Sequence, residues 1–227
     1  QESMQSDPTI VILGEEVGRY GGAYGVTKGL LQEFGEDWVR DTPISEEILV
    51  GAAVGAAMTG LRPVAELMYV DFITLAMDQL VNQAAKIRYM FGGQISVPMM
   101  LRSQGGTGRS AAAQHSQSLE AWVMHTPGLH LAVPADATDA YVLIKQALTL
   151  ADPVVFLEHK GLYAQSFPFN PESALPWGRA KISRSGNDCS IICYSRMAQR
   201  CLDASEQLAE LGVQVEVIDL RTLHPLD

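Results

Sequence analysis

The sequence predicts an α/β protein, a mostly parallel sheet flanked by helices, followed by the start of a second α/β domain. Three observations predict it. Short apolar runs that end at Gly or Pro alternate with longer stretches of helical spacing over residues 1–160. A segment rich in Pro, Ser, Asn and Gly, 161–186, then reads as a linker. Over 187–227 the strand–helix–strand pattern returns once more, as a single βαβ unit too small to close a sheet.

Taken in order, Thr9 to Leu13 is an apolar run stopped by Gly14 and predicts a buried strand. Gly51 to Gly60 predicts a small-residue helix with a Gly stop. Pro63 to Tyr69 is the second strand. Ile73 to Tyr89 predicts a helix in which Leu75, Leu80, Ala84 and Ile87 share one face. Strands follow at Val97–Arg102, where Pro98 is an awkward member, at Leu129–Val133 and at Pro153–Glu158. Between the last two, Asp136 or Thr138 caps a helix that runs through Ala147. The final unit comprises strand Cys189–Tyr194, helix Met197–Leu211 and strand Gln214–Asp219. Gln1 to Gln5 reads as the tail of a helix, and the second domain as its first third, so the expectation is a fragment of a longer protein.

At 227 residues and 47% apolar composition the chain can bury a substantial core. A net charge of −10 argues against nucleic acid or an anionic membrane surface as partner, because both reward clustered Lys and Arg. Apolar runs are broken well short of the roughly 18 residues a membrane span needs. Cys189, Cys193 and Cys201 are expected as buried, reduced thiols; no His or carboxylate stands at metal-ligand spacing beside them.

One polar turn, Asp41-Thr42-Pro43-Ile44-Ser45-Glu46, places a carboxylate at the start of a small-residue helix. Acidic residues are common there, because they offset the helix dipole. Its company is more specific: Gly14-Glu15-Glu16-Val17-Gly18, Gly60-Leu61-Arg62-Pro63-Val64, Asp71-Phe72, Asp78-Gln79, Tyr89-Met90-Phe91-Gly92-Gly93 and Gln114-His115-Ser116-Gln117. Together, in this order and along the whole chain, these resemble the β subunit of the E1 component of thiamine diphosphate-dependent 2-oxo acid dehydrogenase complexes. That group includes the pyruvate, acetoin and branched-chain enzymes.

The resemblance implies a pyrimidine-binding domain of transketolase type over 1–160. It implies a cofactor, thiamine diphosphate, shared with an E1 α subunit in an α2β2 heterotetramer. Magnesium is implied on that α subunit, since this chain lacks the Gly-Asp-Gly…Asn pattern that holds it. Glu46 matches the carboxyl that hydrogen-bonds N1′ of the aminopyrimidine, so that the cofactor's own imino group removes the thiazolium proton; its neighbour Glu47 is unusual. Phe72 matches a stacking residue, with Ile44, Met68 and Leu75 completing an apolar wall. Open α/β sheets bind ligands at the carboxyl ends of their strands, where Phe72 is expected. His115 matches a residue at the substrate end that assists acyl transfer to the lipoyl group of E2, with Ser116 and Gln117 orienting its ring. His125, His130, His159 and His224 are expected to be structural. Gly105–Gly108 lacks P-loop or dinucleotide spacing and reads as a mobile or tightly turning loop.

The family also implies a structural potassium near Met99, Ala147, Leu150 and Asp152, although relatives often carry Asp where Leu150 stands and Asn where Asp152 stands. The implied partners are the E1 α subunit, the lipoyl domain and core of E2, and a small 2-oxo acid or acetoin. The implied location is the cytoplasm in a bacterium or the organelle matrix in a eukaryote. Glu66-Leu67-Met68 and Arg88–Gly93 lean toward the acetoin type. The alternatives are a branched-chain E1 β subunit and a non-catalytic α/β partner-binding module. A one-chain enzyme of transketolase type would need the magnesium half on this polypeptide.

Overall fold

The computed structural model describes residues 1–108 and 110–227. Its strands are β1 (Ile10–Gly14), β2 (Val39–Asp41), β3 (Arg62–Leu67), β4 (Met100–Gly105), β5 (His130–Ala132), β6 (Val154–His159), β7 (Lys181–Arg184), β8 (Cys189–Cys193), β9 (Val215–Asp219) and β10 (Thr222–His224). Its α-helices are α1 (Glu2–Ser6), α2 (Leu30–Phe34), α3 (Glu46–Met58), α4 (Ala85–Met90), α5 (Glu120–Met124), α6 (Ala137–Ala147) and α7 (Arg196–Glu210).

Seven strands form the larger sheet in the order β10-β5-β6-β4-β3-β1-β2. All neighbours are parallel except β10 against β5. A parallel sheet is covered on both faces, and both coats are present here. On one face α3 and the segment 70–90 pack Leu49, Val54, Ile73, Leu80 and Ile87 against Leu67, Leu101 and Val155. On the other, Leu143 and Ala147 of α6 pack on Met100, Val154 and Phe156. Asp136 caps α6, its carboxylate accepting from the Asp139 amide at 2.8 Å. Gly128 (φ +100) makes the close approach ahead of β5; a Cβ there would overlap the Ala85 carbonyl oxygen.

The segment 73–89 is not one helix, which corrects the sequence expectation. Val70–Ala76 is a 3₁₀ helix, Asp78–Ala84 is a π-helix, and only Ala85–Met90 is α. Three residues per turn, followed by a wider turn, break the 3.6 phase that a single apolar face requires. Leu80, Ala84 and Ile87 face the core, whereas Leu75 is 57% exposed.

The second sheet has the order β7-β9-β8, with β8 parallel and β7 antiparallel to β9. Its βαβ unit thus gains a third strand from within the stretch expected to be linker. Helix α7 packs Ala198 on Cys193, Val215 and Val217, and Ala135 of the larger unit joins that cluster. Strand β10 leaves the second unit and closes the edge of the first sheet beside β5. A buried ion pair ties the two sheets: Arg221 Nε donates to Asp139 at 2.6 Å, and Lys181 reaches Asp136 at 2.8 Å. The three thiols are free, but only Cys193 is buried; Cys189 is exposed at the start of β8, and Cys201 is half-buried.

Candidate functional site

Glu46 is the first residue of α3, placed there by the Pro43-Ile44-Ser45 turn. It is 8% exposed, and among the described residues its carboxylate makes no hydrogen bond. A carboxylate in that state can accept a hydrogen bond from an incoming donor. Glu15, at the end of β1, faces it. Burial raises the Glu15 carboxyl above its ordinary value, and the Glu46 and Glu16 charges add to the effect. Glu15 Oε1 is also buried without a partner.

Beyond the end of β3, the 3₁₀ helix that packs on α3 carries Asp71 and Phe72. Phe72 meets the His115 ring edge-on, with centroids 5.3 Å apart. Tyr69 meets the same imidazole from another side at 4.8 Å, and Tyr24 and Tyr163 extend the aromatic row. The structure therefore brings Phe72 and His115 together at the carboxyl edge of the sheet. Met68 is half-buried, at the end of β3. Ile44, 81% exposed, and Leu75 stand at the surface of this chain and enclose nothing within it. The expected apolar wall is thus not assembled among the described residues.

The main chain around His115 is held by charge. Asp71 Oδ1 accepts from the amides of Ser116 and Gln117, each at 3.1 Å. Lys160, 2% exposed, donates to the His115 carbonyl, and its ammonium lies 5.4 Å from the Tyr69 ring centre. Ser116 and Gln117 therefore act through their backbone N–H groups. His159, expected to be structural, sits at the end of β6, where it accepts from the Gly161 amide and packs on Gly106 (φ +83). Burial, then Arg196 and Lys160, push it down to about 4, so it is neutral at pH 7.

Under this edge lies a buried network. Arg102 pairs with Glu66 and Glu158, both at 2.5 Å, and donates to the Tyr163 hydroxyl at 2.9 Å. Burial opposes the guanidinium charge, yet Glu158, Tyr163 and Glu66 hold it above its ordinary value. Sequence reasoning assigned no role to Glu15, Asp71, Lys160 or Arg102. The available signal was a charge inside or directly after an apolar strand run, as at Arg102 and Lys160.

The acceptors expected around potassium are engaged. The Met99 carbonyl accepts from Val154 and that of Ala147 from Leu150. Leu148 and Leu150 both accept from Arg62, and Asp152 pairs with Arg88 at 2.7 Å. The Arg62 guanidinium on the Leu148 and Leu150 carbonyls competes with a cation there, whereas the Met99 and Ala147 carbonyls each keep a second lone pair. Among the described residues no three His, Cys, Asp or Glu side chains cluster to hold a metal.

Residues 1–165 match the family described as "Transketolase, pyrimidine binding domain", and 178–227 match "Transketolase, C-terminal domain". The chain belongs to the transketolase pyrimidine-binding family. Within it, the whole chain is 48% identical to a mitochondrial pyruvate dehydrogenase E1 component subunit beta-2 of Oryza sativa subsp. japonica, spanning 61% of that protein. It is 46% identical to the acetoin:2,6-dichlorophenolindophenol oxidoreductase subunit beta of Cupriavidus necator, spanning 70% of it. The human mitochondrial pyruvate dehydrogenase E1 subunit beta is 44% identical, with 64% of it covered. The chain thus spans less than two thirds of the plant and human relatives. A split-gene transketolase, solved as an inactive β4 tetramer, superposes with a TM-score of 0.81 over all of this chain and 69% of that one. At 23% identity that likeness shows the fold alone. Among the described residues no helix is long and apolar enough to cross a membrane.

Proposed function

We propose that this chain is the β-subunit portion of a thiamine diphosphate-dependent E1, of pyruvate or acetoin dehydrogenase type, and holds the aminopyrimidine half of the cofactor. The supporting observation is Glu46, a buried residue at the carboxyl edge of a parallel sheet whose carboxylate has no hydrogen-bond partner among the described residues. When bound, thiamine diphosphate supplies the carbon nucleophile that attacks the oxo group of the substrate. Glu46 would hydrogen-bond N1′ of the aminopyrimidine, in a pocket dry enough for that bond to matter. Phe72 would stack on the pyrimidine, and Met68 would border it. Ile44 and Leu75, exposed here, would complete the wall once an E1 α subunit covers them. That subunit would hold magnesium and the diphosphate, two copies of each chain forming the heterotetramer. His115, between Phe72 and Tyr69, would carry protons in acyl transfer to the lipoyl group of E2.

The test uses the full-length β chain co-expressed with its natural α partner. Reduction of an artificial acceptor is followed with pyruvate, acetoin and branched-chain 2-oxo acids, in the presence of thiamine diphosphate and magnesium. Turnover of one substrate that requires both chains and is lost in Glu46→Gln supports the reading. Full turnover by the Gln variant would sink the role given to Glu46.

A further inference from the structure

His115 stands in a stretch with almost no regular structure. Between β4 and α5 the only helical turn among the described residues is Ala113–His115, entered through Ala112 at φ +63. Such a segment has no ladder of backbone hydrogen bonds to fix a side chain within the fraction of an ångström that proton transfer requires. Two buried charges supply what the ladder does not. Asp71 is 4% exposed, and Oδ1 takes both amides that follow His115 in sequence. Lys160 is 2% exposed and takes the carbonyl of His115 itself. The Gly106 amide adds a third tie, donating to the Gln117 carbonyl at 2.8 Å. Burying an ammonium and a carboxylate is expensive, and apolar residues would fill the same space at lower cost. Asp71 Oδ1 and the Lys160 ammonium both engage the backbone of three consecutive residues, while Asp71 Oδ2 is buried without a partner among the described residues. They come from separate elements, the 3₁₀ turn after β3 and the end of β6, so the grip survives only while those strand ends stay in register.

We propose that Asp71 and Lys160 are positioning residues for His115. Asp71 draws the Ser116 and Gln117 amides toward the 3₁₀ turn, and Lys160 draws the His115 carbonyl toward β6. Between those two pulls the imidazole is set edge-on to Phe72 and Tyr69. Lys160 also stands over the Tyr69 ring, which fixes one wall of the slot the imidazole enters. Neither residue need touch substrate. The consequence for reaction deepens the function proposed above and rests on it: the step served by His115 depends on both charges, and cofactor activation at Glu46 does not.

The experiment uses the full-length chain assembled with its α partner, in the variants Asp71→Ala, Asp71→Asn, Lys160→Met and His115→Gln. The first readout is independent of activity: the rate at which diethyl pyrocarbonate modifies His115, followed by peptide mass spectrometry with His125 as internal reference. Asp71→Ala and Lys160→Met are expected to raise that rate severalfold. Asp71→Asn, which keeps the Oδ1 acceptor, stays near wild type. Lys160→Met, apolar and of similar length, carries the test where Asp71→Ala does not fold. An unchanged rate in the Ala and Met variants overturns the proposal.

The second readout compares lipoyl-domain acylation with artificial-acceptor reduction. In Asp71→Ala the acylation kcat should fall by about 10–100-fold with the 2-oxo substrate KM nearly unchanged, and Asn should restore it. Adding Asp71→Ala to His115→Gln should lower the rate no further, because the two act as one unit. A further drop of the same size would mean that Asp71 works independently of His115, which overturns the proposal. Changed modification rates in a complex that turns over no substrate would leave the positioning intact and sink the E1 reading instead.

Discussion

Two neighbourhoods at the carboxyl edge of the larger sheet hold their charges differently. At the start of α3, Glu46 is buried with no hydrogen bond among the described residues, and Glu15 beside it has an orphaned oxygen. At the ends of β3, β4 and β6, a few residues away in the fold, Glu66, Arg102, Glu158, Asp71 and Lys160 each have at least one partner, although Asp71 Oδ2 and Arg102 Nε are buried without one among the described residues. Of the first pair, Glu15 carries the cost, because its Oε1 is a buried acceptor without a partner among the described residues. Under the function proposed above, Glu46 is the group left open to an incoming donor, and the β3–β4–β6 ends are the frame beside it.

The largest expected effect tests the open side. Glu46→Gln keeps the shape and removes the acid, so turnover of the assembled α–β complex should fall by about 10²–10⁴. Its thermal midpoint should hold or rise slightly, because no internal bond is lost. A fall in midpoint with turnover retained would make Glu46 a structural residue and erase the contrast. The framed side should behave in reverse. Arg102→Met strands Glu66 and Glu158, and loss of one partner from a buried pair costs about 3–5 kcal/mol. Denaturant unfolding of the full-length protein measures it; a cost below about 1 kcal/mol would place the network with surface pairs.

A third, smaller effect concerns pH. Burial, aided by the Asp139 charge, pushes the Asp219 carboxyl up to about 7 from an ordinary 3.8. Between those values the native chain holds a proton that the unfolded chain has released, so this group lowers stability as pH rises through the window. His159 has the opposite sign. Its pKa, pushed down from 6.5 to about 4, makes the unfolded chain the better proton binder, so stability falls as pH drops from 6.5 toward 4. The two slopes oppose. Asp219→Asn should leave the His159 slope alone, giving greater stability near pH 8 and a steeper loss below pH 6.5. The added slope is at most about 1.4 kcal/mol per pH unit. His159→Gln should do the reverse. Unfolding curves at a series of pH values decide it, and two variants with the same slope would refute the assignment.

How much of this was legible in the sequence follows from the range of the interactions. Strands β1, β3, β4, β5 and β6 show in local apolar runs, and α6 shows in Asp136, whereas β2 at Val39–Asp41 was not read as a strand, since only Val39 of its three residues is apolar and buried. Strand β7 did not show, because Lys181-Ile182-Ser183-Arg184 has little alternation and is a strand only through its pairing with β9. Strand β10 did not either. Nothing in Thr222-Leu223-His224 says that the chain will return to the first sheet, and the pairing is set by β5, about 90 residues earlier. At the site, Glu46, Phe72 and His115 were found by motif. Asp71 and Lys160 were not, since their roles appear only when three distant segments meet. Leu75 was placed on the wrong face because the local winding departs from 3.6 residues per turn, which a periodicity argument assumes.

That misplacement sets up the smallest effect and the sharpest use of the contrast. Ile44 flanks Glu46 in sequence and is 81% exposed, while Leu75 follows Phe72 and is 57% exposed. Truncating either to Ala removes little that is buried within this chain, so the stability of the unassembled β chain should move by no more than about 0.5 kcal/mol. If the open side is open because an α subunit and a cofactor close it, both truncations should weaken assembly and cofactor retention out of proportion to that change. Titration of the α subunit against each variant, with thermal unfolding of the unassembled chain beside it, separates the two quantities. Equal assembly affinity for wild type and both variants would mean that these side chains face solvent in the working protein. The wall beside Glu46 would then have to be built from other residues.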